Sequence, residues 1–312
     1  MSRRLVRAFA PGTVANLGPG LDILGLAVAG AGDTVTASRS TNREIRIHSS
    51  GHPEIPRDLE RNTAGIAAAR VRAMASADSV GLTLDIAKGL PLSGGQGGSA
   101  ASAVAAAVAV NELLGSPLRR EDLLAPCLDA EAAVSGRHAD NVAAALFGGV
   151  VLIRSMDPVD VVRLSFPSEL RVVIVAPQQT LRTEEARARL PPSVTLPVAL
   201  AQAAAVGALV AALATRDFDL LRRSIEDRIA EPARSPLLPG FAEAKSAALE
   251  AGAFGCSISG SGPASFAFAV GDDPARRIGK AMVAAYRLAG VPANARVGAI
   301  DAGGARVVGV EP

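Results

Sequence analysis

Large rings are almost missing from this sequence: it has no tryptophan, one tyrosine (Tyr286) and eight phenylalanines among 312 residues. A core must therefore be assembled from Ala, Val, Leu and Ile. The scarcity also argues against a reader of single-stranded nucleic acid, which stacks bases on aromatic faces. An excess of charge of one sign is missing too, since 32 basic residues face 30 acidic ones for a net +2, with no long run of either. Neither a nucleic-acid footprint nor an anionic-membrane patch is indicated. The two cysteines, Cys127 and Cys256, cannot form a disulfide scaffold and lack metal-ligand spacing, which fits a reducing, cytoplasmic setting. Arg3, Arg4 and Arg7 have no apolar signal-peptide stretch behind them. The one long apolar run, 198–214, is mostly alanine and is interrupted by Gln202. It reads as a buried helix packed closely through small residues, not as a membrane span.

What is present is globular: 49% hydrophobic and 20% charged residues, in a length of about two domains at roughly 150 residues each. Strand patterns at 4–10 (ending at Pro11-Gly12), 33–38, 44–49 and 81–88 interleave with helical patterns at 62–74 and 99–114. Ser116-Pro117 is expected to open another helix, and a strand follows at 150–154. Near Asp157-Pro158 the chain is expected to cross into a second half, dividing it into 1–156 and 157–312. That half has strand patterns at 171–176, 295–300 and 305–310, helical patterns at 218–230, 241–251 and 274–289, and a glycine turn into a strand at 257–269. Two α/β or α+β lobes are the expected architecture.

Chemistry concentrates in three loops. Pro91-Leu-Ser-Gly-Gly-Gln-Gly-Gly-Ser-Ala-Ala-Ser102 runs straight into an Ala/Val helix. Glycines at 94, 95, 97 and 98 allow backbone N–H groups to turn inward on an anion, and the helix N-terminus adds its positive dipole end. It is not a Walker A loop, because no Gly-Lys-Ser/Thr closes it. It matches the looser dinucleotide pattern, but the acidic ribose contact about 20 residues on is missing, which disfavours a dehydrogenase. The second loop is Ser259-Gly-Ser-Gly-Pro263, and the third is Pro11-Gly-Thr-Val-Ala-Asn-Leu-Gly-Pro-Gly-Leu-Asp22.

Together and in this order along the chain, the three loops resemble the motifs of the GHMP kinases, and the details resemble their homoserine kinase branch. Ala15-Asn-Leu-Gly-Pro-Gly20 with Asp22 is similar to the first motif, with Leu21 where Phe is usual. Ser135-Gly-Arg-His-Ala-Asp-Asn141 resembles the substrate segment, with Ala144 where Pro is common. Thr183-Glu-Glu-Ala-Arg187 and Glu231-Pro-Ala-Arg234 resemble the two C-terminal signatures. The second motif departs most: Gly95-Gln-Gly-Gly-Ser-Ala100 stands where Gly-Leu-Gly-Ser-Ser-Ala is usual, so Gln96 replaces Leu and Gly98 removes a hydroxyl.

The resemblance implies an α+β fold of two lobes, the first with a left-handed β-α-β unit and the second ferredoxin-like, with ATP and a small substrate meeting between them. For homoserine, it implies that Arg187 and Arg234 clamp the carboxylate, Asp22 pairs with the ammonium beside Asn16, and Asp140 receives the hydroxyl. Asn141 and Thr183 stand nearby, and His138 is a second candidate base. ATP would lie on Pro91, Gly94, Gly95, Gln96, Gly97, Gly98, Ser99, Ala100 and Ser102, with Gly260, Ser261 and Gly262 opposite and Lys88 and Asn62 near the phosphates and adenine. Mg²⁺ would sit between Ser99 and Glu131, two ligands being enough for an ion that keeps its waters. The resemblance further implies a cytoplasmic homodimer, with no nucleic acid or membrane partner. Mevalonate- and shikimate-type substrates lack the ammonium that Asp22 would meet, and a non-catalytic nucleotide binder would not need Ser99, Glu131 and Asp140 together.

Overall fold

Along β1 (Leu5–Ala15), Val6, Ala8 and Ala10 are buried and Arg7 is exposed, the period-two pattern of a half-covered strand. The strand does not end at Pro11-Gly12 as its sequence suggests. Its pairing with β2 (Leu24–Ser40) shifts register there, a bulge that tolerates the proline, and resumes through Ala15. The computed structural model describes residues 3–134 and 136–312, so Ser135 of the expected substrate segment lies outside the described residues.

The first sheet has seven strands. β3 (Ile45–Ser49) and β4 (Gly81–Ala87) pair in parallel and are joined through α1 (Thr63–Met74), a β-α-β unit. The sheet continues in β5 (Val150–Met156), β6 (Val159–Leu164) and β11 (Arg306–Glu311), in the order β11-β1-β2-β4-β3 with β5 on β2 and β6 on β5. Asp157-Pro158 is thus the turn of a hairpin inside the first sheet, and the last strand returns to pair with β1. Two strands from beyond residue 156, β6 and β11, thus belong to the first sheet, because strand pairing is long-range. α2 (Gly98–Leu113) is buried on nearly every side, and its alanines let it pack against β1, β2, α1, α3 (Leu124–Ala132) and α4 (Ala139–Phe147). The helix expected at Pro117 begins later. The Asn111 side-chain amide binds both the N–H and the carbonyl of Leu118, holding a loop there, and a 3-10 turn precedes α3.

The second sheet is antiparallel and four-stranded, ordered β10 (Ala293–Ala299), β7 (Leu170–Pro177), β9 (Ser265–Val270), β8 (Cys256–Ile258). One face is covered by α9 (Phe241–Glu250) and α10 (Asp272–Leu288) through Ile278, Met282 and Tyr286. The other face, with Val172, Ile174, Phe266 and Phe268, shares a single apolar cluster with Val14, Leu24, Leu26 and Val28 of the first sheet. That cluster joins the lobes below the cleft.

Four helices complete the chain: α5 (Thr183–Ala188), α6 (Leu196–Thr215), α7 (Phe218–Ser224) and α8 (Ala230–Arg234). The helix expected over 218–230 breaks after Ser224, because the Asp227 carboxylate collects the N–H groups of Ile229, Ala230 and Glu231 and starts α8 afresh. The reading of α6 as a buried helix is also corrected. It is long and apolar enough to cross a membrane by length and composition, yet Leu196 and Leu200 are 70% and 61% exposed, and only Gln202, Leu209, Ala212 and Leu213 are buried. Alanines need little cover, so a single stripe suffices to dock the helix. Gln202, the apparent interruption, is the anchor: its amide donates to the Pro19 carbonyl and to Asp227 and accepts from the Arg228 N–H.

Candidate active site

The three glycine loops meet in one cleft of about 480 Å³. Their contact is direct. The Ser259 hydroxyl donates to the Gly95 carbonyl at 2.6 Å, the Gly260 N–H donates to Ala15, and Asn16 Nδ2 donates to the Gly260 carbonyl at 3.0 Å. Asn16 also accepts the Asp22 N–H through Oδ1. Each end of its amide makes one bond within the protein, so it is a strut that shapes the first loop.

The loop at 94–98 needs its glycines. Gly97 has φ +66°, and a Cβ there would overlap the Thr13 hydroxyl; Gly95 has φ +65°, with Cβ space only 2.7 Å from the Ser259 carbonyl. Gly97→Ala is therefore expected to weaken nucleotide binding by about tenfold, from a left-handed strain of about 1–3 kcal/mol plus the clash, measured by titration calorimetry. Thr13, which sequence reasoning missed, bonds this loop through its N–H to the Gln96 carbonyl and bonds α4 through its hydroxyl to Asn141 Oδ1 at 2.6 Å. Asn141 is thereby held at the start of α4.

Lys88, Ser102 and Asn62 line the cleft, but their polar groups are committed elsewhere. The Lys88 ammonium donates to Asp33, the Gly98 carbonyl and the Ser102 hydroxyl, while Ser102 donates to Asp33 at 2.6 Å. Asp33 is fully buried and also takes the Gly89 N–H. This cluster braces the loop from beneath and leaves Lys88 no proton for phosphate. Asn62 caps α1 by accepting the Gly65 N–H and donates to the Pro56 carbonyl. Segment 50–62, to which sequence reasoning gave no role except at Asn62, lines the cleft with Ser50, Ile55, Pro56 and Arg61.

At the other end, Asp22 meets Arg187 in a two-pronged ion pair at 2.7 and 3.0 Å, with His138 Nδ1 3.6 Å away. Burial pushes the Asp22 carboxyl up, but the Arg187 hydrogen bonds and the charges of Arg187, His138 and Arg234 outweigh it and leave the pKa below the usual value. Burial, together with the two arginines, lowers the pKa of His138 despite Asp22, so it is neutral at pH 7. Arg234, 2% exposed, donates to the carbonyls of Ala186 and Gly260. The Thr183 and Ser261 hydroxyls lie 3.3 Å apart.

Asp140 is different. It sits in the first turn of α4, 2% exposed, and among the described residues only the Asn141 N–H donates to it. Burial above all, then the charge of Asp22, pushes its carboxyl up to about 7. A carboxylate balanced near neutrality in a cleft is suited to receive a proton. Ser99 and Glu131 line the same cleft and offer hard oxygen donors, Glu131 at 5% exposure; this donor set fits Mg²⁺.

The chain is similar to known proteins over most of its length. The GHMP kinases N terminal domain matches residues 62–149 and the GHMP kinases C terminal domain matches 209–288. A homoserine kinase of Chlorobium phaeovibrioides is 44% identical over 293 residues, 90% of this chain and 92% of that one. One of Arabidopsis thaliana is 45% identical over 312 residues, covering 97% and 84%. The crystal structure of homoserine kinase from Cytophaga hutchinsonii superposes with a TM-score of 0.95 at 41% identity, covering 99% and 98%. Agreement at that level over nearly the whole chain, with all three loops in one cleft, makes this protein a member of the homoserine kinase family of GHMP kinases.

Proposed function

We propose that the protein transfers the γ-phosphoryl group of ATP to the side-chain hydroxyl of L-homoserine, giving O-phospho-L-homoserine and ADP, a step of threonine biosynthesis. The observation that carries this reading is the Asp22–Arg187 pair beside buried Asp140. An anion, a cation and a proton acceptor together complement the ammonium, carboxylate and hydroxyl of one hydroxy-amino acid.

On binding, the substrate's ammonium takes Asp22 and its carboxylate takes Arg187, with Arg234 behind. His138 keeps Asp22 oriented as a neutral neighbour. Asp140 accepts the hydroxyl proton while the oxygen attacks the γ-phosphorus and the bond to the β-phosphate oxygen breaks. Positioning and charge neutralisation carry the rest of the barrier. The loop's backbone N–H groups and the α2 N-terminus hold the phosphates. Mg²⁺, when bound by Ser99 and Glu131, neutralises phosphate charge. The same reading carries a cytoplasmic homodimer.

The test is ADP release with ATP and Mg²⁺ when L-homoserine, L-serine, mevalonate and shikimate are offered separately. Turnover on homoserine is expected. Silence on all four, with ATP still bound, would overturn the reading.

A further inference from the structure

Beneath the phosphate loop lies a cation that the mechanism above does not use. Arg296, on β10 of the second sheet, reaches across to the first lobe. Its Nε donates to Gln96 Oε1 at 3.0 Å and its Nη1 to the Ala29 carbonyl at 3.3 Å, while its buried Nη2 has no hydrogen-bond partner among the described residues. Among the described residues no carboxylate forms an ion pair with it. Burial pulls its pKa down to about 10 with no acid opposing the shift, so it stays charged at neutral pH. A partly buried cation with no counter-charge among the described residues is costly to leave unneutralised.

Gln96 stands between that cation and the cleft. It is 4% exposed but lines the cleft, and its own carbonyl is tied to the Thr13 N–H. A guanidinium can only donate, so Arg296 claims the oxygen end of the amide and fixes which way it turns. Nε2, with two protons, then donates to no group among the described residues. The leucine usual at this position offers no such donor. Two residues on, Gly98 lacks the hydroxyl usual there.

We propose that Gln96 donates through its side-chain amide to a phosphate of the bound nucleoside di- or triphosphate, and that Arg296 is its positioning residue, setting the amide's orientation. The pair replaces the donor lost at Gly98 and ties the phosphate loop to the second lobe. This rests on the nucleotide reading of the cleft and is independent of which acceptor is phosphorylated.

The experiment measures affinities of the full chain for ATP, ADP and adenosine by titration calorimetry, with melting curves to establish folding. Gln96→Leu should weaken ATP and ADP by about tenfold, the scale of one hydrogen bond to a charged group, and leave adenosine unchanged. Gln96→Glu, which keeps an acceptor for Arg296 but turns a carboxylate toward phosphate, should weaken them further. Arg296→Met should cost ATP about three- to tenfold on the same scale, and Arg296→Lys should recover part of it. The double variant Gln96→Leu/Arg296→Met should bind ATP no worse than Gln96→Leu alone, because Arg296 acts through Gln96. Equal losses for adenosine and ATP, additive losses in the double variant, or unchanged ATP affinity in folded Gln96→Leu would each overturn the proposal. Nucleotide binding is the readout, so a failure to phosphorylate homoserine would sink the proposed function and leave this test standing.

Discussion

Asp140→Asn should lower kcat by about a thousandfold, the usual scale of a positioned acid–base group, and at the same time make the protein harder to melt above pH 7. Both effects have one cause. The carboxyl is 2% exposed and its pKa is raised to about 7, by burial first and by Asp22 second. Its folded value lies above the unfolded one, so the folded state binds the proton more tightly and stability falls as pH rises from about 4 to about 7. At pH 8.5 the wild type carries a buried carboxylate opposed by the Asp22 charge, and the asparagine variant does not. Its melting temperature should exceed the wild type's by a few degrees there, with the gap closing below about pH 4. In the wild type, kcat/KM for homoserine should drop as pH falls through about 7, because the base must be ionised to take a proton. A variant that loses neither rate nor the acid limb would show that the hydroxyl's proton goes elsewhere.

What could be read from sequence was local, and what could not was mostly long-range. α1 and α2 lie within a residue of expectation because a cap, an apolar period and a glycine run are written into neighbouring residues. The three glycine loops were legible for the same reason, and all of them line the cleft. The first half of β2 was missed because Leu24 to Val28 are buried on both faces, which erases alternation. β11 was recognised as a strand, but nothing local says that it pairs with β1. Among the expected site residues, the protein acceptors that occupy their donors were invisible in the sequence. Asn16, Lys88 and Asn62 are cleft residues whose polar atoms bind protein. Arg296 gave no signal at all, being one arginine in a short strand. α6 shows a further limit, since composition marks an apolar helix without saying how many of its sides are covered.

The Asp22–Arg187 pair leads to the sharpest test of substrate class. The two side chains satisfy each other at 2.7 and 3.0 Å, so a ligand carrying only one charge would break that pair and leave one partner bare. Homoserine carries both charges and exchanges one internal pair for two new ones. Removing one partner of a partly buried pair leaves the other uncompensated, which costs about 3–5 kcal/mol in a fully buried setting. Asp22 and Arg187 are only about two-thirds buried, with side-chain exposures of 34% and 37%, which reduces the expectation to roughly a hundredfold in kcat/KM by solvent screening. Asp22→Asn should thus raise the KM for homoserine about a hundredfold with little change in the KM for ATP. Discrimination against 4-hydroxybutyrate, which lacks the ammonium, should collapse in that variant. Arg187→Met should show the mirror image and lose its preference over 3-aminopropanol, which lacks the carboxylate. Asp22→Asn should also move the acid limb to lower pH, because the Asp22 charge helps to raise the Asp140 pKa, and Arg187→Met should move it higher, because Arg187 opposes that rise. If Asp22→Asn lost discrimination against both analogues equally, the carboxylate would be holding the loop in shape and not reading the ammonium. The crossed pattern requires that each charge reads its own half of the substrate.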